Sequence, residues 1–345
     1  MTVDLSLTEE QEQLRAAFRA LFQRECDIEA VRRAEPLGHS PELWARVGDL
    51  GLADMAVPEE AGGGGAALLD AAVVCETVGE FLAPVPCLET LVASRLLARV
   101  GTAAASSVLA AVVAGGEPAT IALSPPVDGQ LRWVPAGAVA GSVLLLDGDR
   151  LLVTTDRPSG RAPTNLGSLP VGHRSTVGAE VLASGPAAVA AFAAARDDFR
   201  VLAAALLCGA GRRVLDIAVA YTKERKAFGV PIASYQSVAH TMADLSTALT
   251  GARLLSAKAA WAADQDPIGR TRLALMAYAF SAEAAERAAT EALHFHGGYG
   301  FMLEYDVQLY FRRVKAWCLL TDDPNVALQH LADELWGPAG GRRVA

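Results

Sequence analysis

Two short motifs, RKAFGVPI at residues 225–232 and HFHGGYGF at residues 294–301, decide the fold of this 345-residue chain. Each follows a run in which apolar residues recur every three or four positions, the spacing of one helix face. Before the first motif these residues are Leu206, Ala210, Val214, Ala218 and Tyr221. Before the second they are Leu273, Met276, Phe280 and Ala284. Such runs, joined by short loops, predict a C-terminal helical bundle over residues 186–337, with a loose tail at 338–345.

Residues 118–185, immediately before the bundle, have a different character. They contain short β-rich segments separated by Pro and Gly turns, namely ATIALS, QLRWV, VLLLDGDRLLVTT and AEVLAS. The stretch Asp147-Gly148-Asp149 predicts a hairpin turn between two strands. We therefore expect a small, shortened β domain here.

Residues 1–117 return to helical spacing. Thr8 and Gln11 have the pattern of a capping box that opens a helix through Phe22, and Ser40 before Pro41 is typical of a helix start. The predicted fold class is mainly α with a small central β domain. Its order is N-terminal helical domain, β domain and C-terminal helical bundle.

Composition excludes several kinds of protein. Hydrophobic residues make up 52% of the chain and charged residues 20%, which suits a globular protein with large buried interfaces. The net charge of -9, without a long basic run, argues against a nucleic-acid or anionic-membrane partner. Five cysteines without a CxxC spacing indicate neither a disulfide framework nor a zinc site. With a polar N-terminus and no apolar span, we expect a cytoplasmic protein.

Several segments in register resemble the acyl-CoA dehydrogenases. LSLTEEQEQLRAAFRALF, PELWARVGDLGLADMAVPEEAGG and CETVGEFLAPVPCLET resemble the N-terminal helical domain of that family. YTKERKAFGVPIASYQSVAHTMADL and ALHFHGGYGFMLEYDVQLYFRRVKAW resemble its two C-terminal signatures. The resemblance implies the fold of that family and an FAD-dependent oxidation of an acyl-CoA substrate between its α and β carbons. It also implies an electron-transfer flavoprotein, or a similar protein, as electron acceptor.

The resemblance places FAD at a subunit interface, held by the two motifs. Arg225 would contact the pyrophosphate, because a guanidinium forks onto phosphate oxygens, although an ordinary helix-surface charge is the alternative reading. The glycines would let the backbone approach the cofactor, or would only end a helix. His294 and His296 are two positions apart, so their side chains point apart on a helix and no metal is expected. The candidate cofactor residues are Arg225, Phe228, Ile232, Tyr235, Gln236, His294 (where relatives commonly carry glutamine), Gly297 and Gly298.

The family's catalytic glutamate is missing. A carboxylate must remove the α-proton of the substrate, yet the two family positions for it are occupied by Thr321 and Phe199. Asp323 before Pro324 predicts a helix N-cap rather than a base. Aspartates beside the two positions are candidates for a displaced base. For those beside Phe199, the alternative is that they are solvated charges in the first turn of a helix. The candidates are Asp322 at the first position and Asp197 and Asp198 at the second.

The β domain also departs from the family, since LSPPVDGQ replaces its usual opening and no Trp-Ile-Thr-like flavin contact is evident. The pattern resembles the short subunits of hetero-oligomeric (α2β2) actinobacterial acyl-CoA dehydrogenases of steroid breakdown. The resulting hypothesis is a subunit whose partner, a second acyl-CoA dehydrogenase-like chain, supplies the base for a bulky or branched acyl-CoA. Three alternatives remain: a self-sufficient homotetramer with a displaced aspartate, a non-catalytic binding or scaffold subunit, and a flavin-dependent oxygenase.

Overall fold

The computed structural model describes residues 4–266, 268–321 and 323–337. The chain divides into two compact units. The mixed unit contains Thr8–Val74 and Ala83–Phe199. The bundle unit contains residues 4–7, Cys75–Leu82 and the described residues of the range 200–337.

Local hydrogen bonds fix where the N-terminal helices begin. The predicted capping box is present, since the Thr8 hydroxyl accepts from the Gln11 amide at 3.2 Å and the Gln11 side chain accepts from the Thr8 amide at 3.1 Å. The Ser40 cap ahead of Pro41 is likewise confirmed. The helices are α1 (Glu9–Glu25), α2 (Ile28–Ala34), α3 (Pro41–Gly48), α4 (Leu52–Met55), α5 (Leu68–Phe81), α6 (Cys87–Val100) and α7 (Ala103–Gly115), with a 3-10 turn at Glu59–Ala61.

The β segments form two sheets within the mixed unit. The strands are β1 (Ala119–Ile121), β2 (Gln130–Val134), β3 (Ser142–Asp147), β4 (Arg150–Thr154), β5 (Gly172–Ser175) and β6 (Glu180–Ser184). The larger sheet has the order β1-β3-β4-β6, in which only β1 and β3 are parallel, and β2 pairs with β5. The predicted hairpin is confirmed, because Asp147 pairs with Arg150 across a loop that begins with Gly148 at φ 63°.

The C-terminal part is helical, as predicted. Its helices are α8 (Pro186–Glu224), α9 (Gln236–Gln265), α10 (Arg270–His296), α11 (Val307–Trp317) and α12 (Pro324–Trp336). A small hairpin, β7 (Lys226–Ala227) and β8 (Val230–Pro231), separates α8 from α9. Helix α10 packs against α9, α11 and α12 and buries mainly alanines, which lets its neighbours approach closely. Asp323 caps α12 by accepting from the Asn325 amide at 2.8 Å, which confirms its predicted role.

Helices α5 and α8 cross at two glycines within the bundle unit. A Cβ at Gly79 would overlap the main-chain oxygen of Leu206, and a Cβ at Gly209 would overlap that of Glu76. Each glycine therefore faces the backbone of the opposite helix. This reciprocal contact fixes α5 against the part of α8 that precedes the RKAFGVPI motif.

All five cysteines are buried and free of disulfide bonds. Within the described ranges, no helix combines the length and the apolar character that a membrane span requires.

Candidate functional site

The RKAFGVPI motif forms a tight hairpin at the end of α8. Ala227 pairs with Val230, so the loop consists of Phe228 and Gly229, with φ angles of 52° and 85°. Two positive φ angles in a two-residue loop are the mark of a type I′ turn. An aromatic residue in this region of backbone space costs on the order of 1 kcal/mol. Phe228 is nevertheless 98% exposed, so no packing against the described residues offsets that cost.

The remaining residues of the motif support the hairpin. The Arg225 amide donates to the Tyr221 carbonyl, and the Ile232 amide donates to the Arg225 carbonyl, both at 2.8 Å. The Tyr235 hydroxyl donates to the Ala227 carbonyl at 3.0 Å, which ties the hairpin to the start of α9. Ile232 and Tyr235 are half-buried, whereas the Arg225 side chain is exposed, as is Gln236 at the first position of α9.

The HFHGGYGF motif ends helix α10 and continues as a 3-10 turn over Gly297–Phe301. Gly297 has a φ of 59°, and a Cβ at Gly297 or Gly298 would meet no atom within 4 Å. A Cβ at Gly300 would lie 2.7 Å from the Leu293 carbonyl oxygen. Gly300 is therefore needed for packing, whereas Gly297 and Gly298 leave open space beside the backbone.

The two histidines of this motif differ in environment. His294 is exposed, whereas His296 is buried and its Nδ1 lies 2.7 Å from the Ala292 carbonyl oxygen. The His296 ring stacks on Tyr221, with a centroid distance of 4.0 Å and an interplanar angle of 22°. In the described part of the chain, no cluster of three or more histidine, cysteine or acidic side chains is arranged to hold a metal ion.

Neither position that the resemblance assigns to the catalytic glutamate carries a titratable group. Phe199 is fully buried, and Thr321 is half-buried with a hydroxyl oxygen that has no partner within the described residues. The segment leading to Thr321 is held by the Tyr278 hydroxyl, which donates to the Cys318 carbonyl at 2.6 Å. Asp322, the candidate next to Thr321, lies outside the described residues.

The other candidate aspartates are not solvated first-turn charges, and that interpretation was wrong. Helix α8 begins at Pro186, so Asp197 and Asp198 lie about three turns into it, and both are buried. The Asp198 carboxylate accepts from Arg95 at 3.3 Å and from Arg99 at 2.9 Å. This arrangement makes Asp198 the centre of a buried ion-pair network within the mixed unit.

Comparisons with known proteins agree with the fold described above. The family models "Acyl-CoA dehydrogenase, N-terminal domain" and "Acyl-CoA dehydrogenase, C-terminal domain" match residues 8–117 and 190–333. Acyl-CoA dehydrogenase IpdE2 of Mycolicibacterium smegmatis is 33% identical over 338 residues, which cover 96% of this chain and 100% of IpdE2. The chain belongs to the acyl-CoA dehydrogenase family. This membership confirms the predicted fold class and places the chain in a family of oxidoreductases.

Two solved structures of the acyl-CoA dehydrogenase fold are also similar to this chain. One is the Tcur3481-Tcur3483 steroid ACAD, with 27% identity and a TM-score of 0.84, covering 95% of this chain and 98% of that chain. The other is the ChsE4-ChsE5 complex from Mycobacterium tuberculosis, with 25% identity and a TM-score of 0.84, covering 96% of this chain and 99% of that chain.

The exposed residues of both motifs fit the FAD that the acyl-CoA dehydrogenase family implies. The Arg225 guanidinium is exposed and has no ion-pair partner among the described residues, so it is available to a pyrophosphate. Gly297 and Gly298 leave room for a close approach to the backbone. Phe228 presents an aromatic ring that is almost fully exposed. A cation, an open stretch of backbone and an exposed ring are groups that can contact the phosphates and the ring systems of a flavin dinucleotide.

One exposed aromatic residue of the β domain escaped the sequence prediction. Trp133 is followed by Val134 and Pro135. Trp133 lies at an irregularity between β2 and β5, has a φ of 54° and is 60% exposed. Its amide donates to His173 Nδ1 at 3.4 Å, and the two rings meet edge to face at 4.9 Å. The signal in the sequence was a tryptophan near the end of the predicted strand QLRWV.

Proposed function

We propose that this chain is one subunit of a hetero-oligomeric, FAD-dependent acyl-CoA dehydrogenase. Its reaction would be the α,β-desaturation of an acyl-CoA thioester. The observation that carries the proposal is a contrast between the residues for FAD binding and the positions of the catalytic base. The residues available to FAD are exposed in both motifs, whereas Phe199 and Thr321 occupy the positions of the catalytic base.

In this proposal Arg225 binds the FAD pyrophosphate, and Gly297 and Gly298 give the cofactor access to the main chain. Phe228 supplies exposed aromatic surface for the same cofactor. When bound, FAD accepts the hydride that leaves the β-carbon of the thioester. Ile232, Tyr235, Gln236 and His294 complete the candidate set.

The α-proton must be removed by a carboxylate near the substrate carbon. Because Asp198 already accepts from two guanidinium groups, we assign the base to a glutamate or aspartate of a second, acyl-CoA dehydrogenase-like subunit. The similarity to the ChsE4-ChsE5 complex supports a partner of this kind. The similarity to a steroid ACAD supports a bulky, ring-containing acyl group. An electron-transfer flavoprotein or similar acceptor would then reoxidise the flavin.

The first experiment is the visible spectrum of the full-length chain, purified alone and after coexpression with an acyl-CoA dehydrogenase-like chain encoded beside it. We expect bleaching of a flavin spectrum by a steroid acyl-CoA only in the coexpressed complex. In that complex, a carboxylate-to-amide change at the partner's base should abolish bleaching while flavin remains bound. The change Asp322→Asn in this chain should leave bleaching intact.

The alternatives give different results. Bleaching by the chain alone, lost in Asp322→Asn, would establish a self-sufficient enzyme with a displaced aspartate. A complex without flavin would indicate a binding or scaffold subunit. Oxygen consumption that does not depend on an acyl-CoA would indicate an oxygenase.

A further inference from the structure

A stacked pair of rings connects the two cofactor motifs within the bundle unit. Tyr221 lies on α8, four residues before Arg225, and His296 is the last residue of α10, directly before Gly297. Their ring centroids are 4.0 Å apart at an interplanar angle of 22°. The contact is therefore a parallel stack and not a chance approach of two edges.

Each ring belongs to a residue that lies beside one of the motifs. The main-chain carbonyl of Tyr221 accepts the amide of Arg225 at 2.8 Å, so the Tyr221 ring lies one helical turn before the first residue of the RKAFGVPI motif. His296 Nδ1 lies 2.7 Å from the Ala292 carbonyl, and since a carbonyl only accepts, this nitrogen carries the proton. The bond fixes the ring plane one residue before the open glycines.

A second set of ring contacts lies on the C-terminal side of the glycine turn. His296 meets Tyr305 edge to face at 6.2 Å, and Tyr299 lies 5.5 Å from Tyr305. Tyr299 belongs to the 3-10 turn itself. The rings of Tyr221, His296, Tyr305 and Tyr299 thus form one aromatic chain, which we call the aromatic clamp.

We propose that the aromatic clamp is a positioning device that holds the Arg225 hairpin and the Gly297-Gly298 turn at a fixed spacing for one ligand. His296 and Tyr221 are positioning residues, because they act on the cofactor through their neighbours. The proposal rests on the proposed function, in which that ligand is FAD. It assigns His296, rather than the exposed His294, the decisive role among the histidines of this motif.

The chain offers a matched pair of variants at Tyr221. The Tyr221 hydroxyl makes no hydrogen bond within the described residues, so Tyr221→Phe keeps the stack, whereas Tyr221→Leu removes it. His296→Gln removes the ring but keeps a side-chain N–H that can reach the Ala292 carbonyl. We expect Tyr221→Leu and His296→Gln to weaken FAD binding about tenfold, and Tyr221→Phe to bind like the wild type.

Two readouts test the clamp. The first is hydrogen exchange by mass spectrometry on the flavin-free, full-length chain. Faster exchange across residues 297–306 in Tyr221→Leu and His296→Gln, restored in Tyr221→Phe, is the expected result. Unchanged exchange in both disrupting variants would overturn the proposal. If Tyr221→Leu does not fold, His296→Gln decides the outcome.

The second readout is titration with FAD of whichever assembly of the wild type binds it, the chain alone or the coexpressed complex. Equal FAD affinity in all variants would overturn the proposal, whereas a loss in both disrupting variants with Tyr221→Phe unaffected supports it. If no wild-type assembly binds FAD, the proposed function fails. The exchange experiment still decides whether the clamp fixes the glycine turn.

Discussion

At the scale of single residues, Asp198 shows how a plausible catalytic group can have a structural role. Its carboxylate is fully buried and contacts Arg95 and Arg99, and Arg95 also donates to the Ala56 carbonyl at 3.3 Å. Removing one charge from a buried network leaves the others without compensation. A catalytic base behaves differently, because its removal affects turnover and not folding.

We therefore expect Asp198→Asn to lower the free energy of unfolding by about 3 kcal/mol in urea titrations. The matched control is Asp216→Asn, because Asp216 pairs with Arg212 at 3.0 Å on an exposed helix face. This control should lose less than about 1 kcal/mol. If Asp198→Asn is as stable as the wild type yet inactive in the complex, a catalytic role for Asp198 would stand.

Glu89 makes stability depend on pH. Burial raises the pKa of this half-buried carboxyl from its usual value near 4.5 to about 7, partly offset by a hydrogen bond from its own backbone amide. Because the folded-state pKa is raised, stability is fully present below pH 4.5 and is lost as pH rises through 7.

Glu89→Gln removes this titration. The variant should match the wild type below pH 4.5 and be more stable above pH 7. We expect a difference of roughly 1–3 kcal/mol, measured by urea unfolding from pH 4 to pH 8.5. A stability difference that does not change across this pH range would contradict the account.

Single-residue roles were predictable where the cause was local. The Thr8 and Ser40 caps and the Asp323 cap depend only on residues a few positions away, and the sequence patterns identified them. The partners of Asp198 lie 99 and 103 positions away, on a helix whose packing no local pattern reveals. The Tyr221–His296 stack went unnoticed for the same reason.

At the scale of elements, the crossing of α5 and α8 depends on the absence of two side chains. Gly79→Ala would place a methyl group against the Leu206 carbonyl, which belongs to a helix and cannot move alone. We expect a loss of at least about 2 kcal/mol in the free energy of unfolding. Gly48→Ala is the control, because a Cβ at this helical glycine meets nothing within 4 Å. Equal stability of the two variants would show that the helices can move apart.

At the Phe228 hairpin, we expect one substitution to raise the free energy of unfolding and to weaken FAD binding. Asparagine tolerates a positive φ better than phenylalanine, so Phe228→Asn should raise the free energy of unfolding by up to about 1 kcal/mol. The same change should weaken FAD binding, because it removes an exposed ring. Val177→Asn, at an exposed valine of the mixed unit, should affect neither property. Stronger or unchanged FAD binding by Phe228→Asn would remove Phe228 from the cofactor residues.

Helices and strands were predicted correctly where apolar residues recur at a regular spacing. The prediction failed for a strand that forms because it pairs with a neighbouring strand. The long helices and most strands follow their patterns. Strand β5, with the sequence GHRS, has no apolar alternation, and it exists because it pairs with β2 and buries Arg174. A strand defined by its neighbour leaves little trace in its own residues.

At the scale of the whole molecule, the bundle unit exposes apolar side chains in the segment that follows the open glycines. Phe301 is 73% exposed and Leu303 is 72% exposed. Neighbouring exposed apolar side chains are typical of surfaces that bind another protein. This exposure agrees with a partner subunit.

We expect the double variant Phe301→Ser, Leu303→Ser to weaken association with the coexpressed partner at least about tenfold, because apolar anchors dominate such interfaces. Its melting temperature should stay close to that of the wild type, since both side chains are exposed. Sedimentation of the complex over a dilution series measures the association. Undiminished association would place the interface elsewhere.

The crossing of α5 and α8 also limits which second mutations can restore folding after one of its glycines has been replaced. The atoms that a new methyl group at Gly79 or Gly209 would meet are main-chain oxygens, which every amino acid possesses. Shrinking a neighbouring side chain therefore creates no room. In a genetic selection that starts from Gly79→Ala, restored chains should carry glycine again at that codon, and compensating changes at Leu206 or Glu76 should not appear.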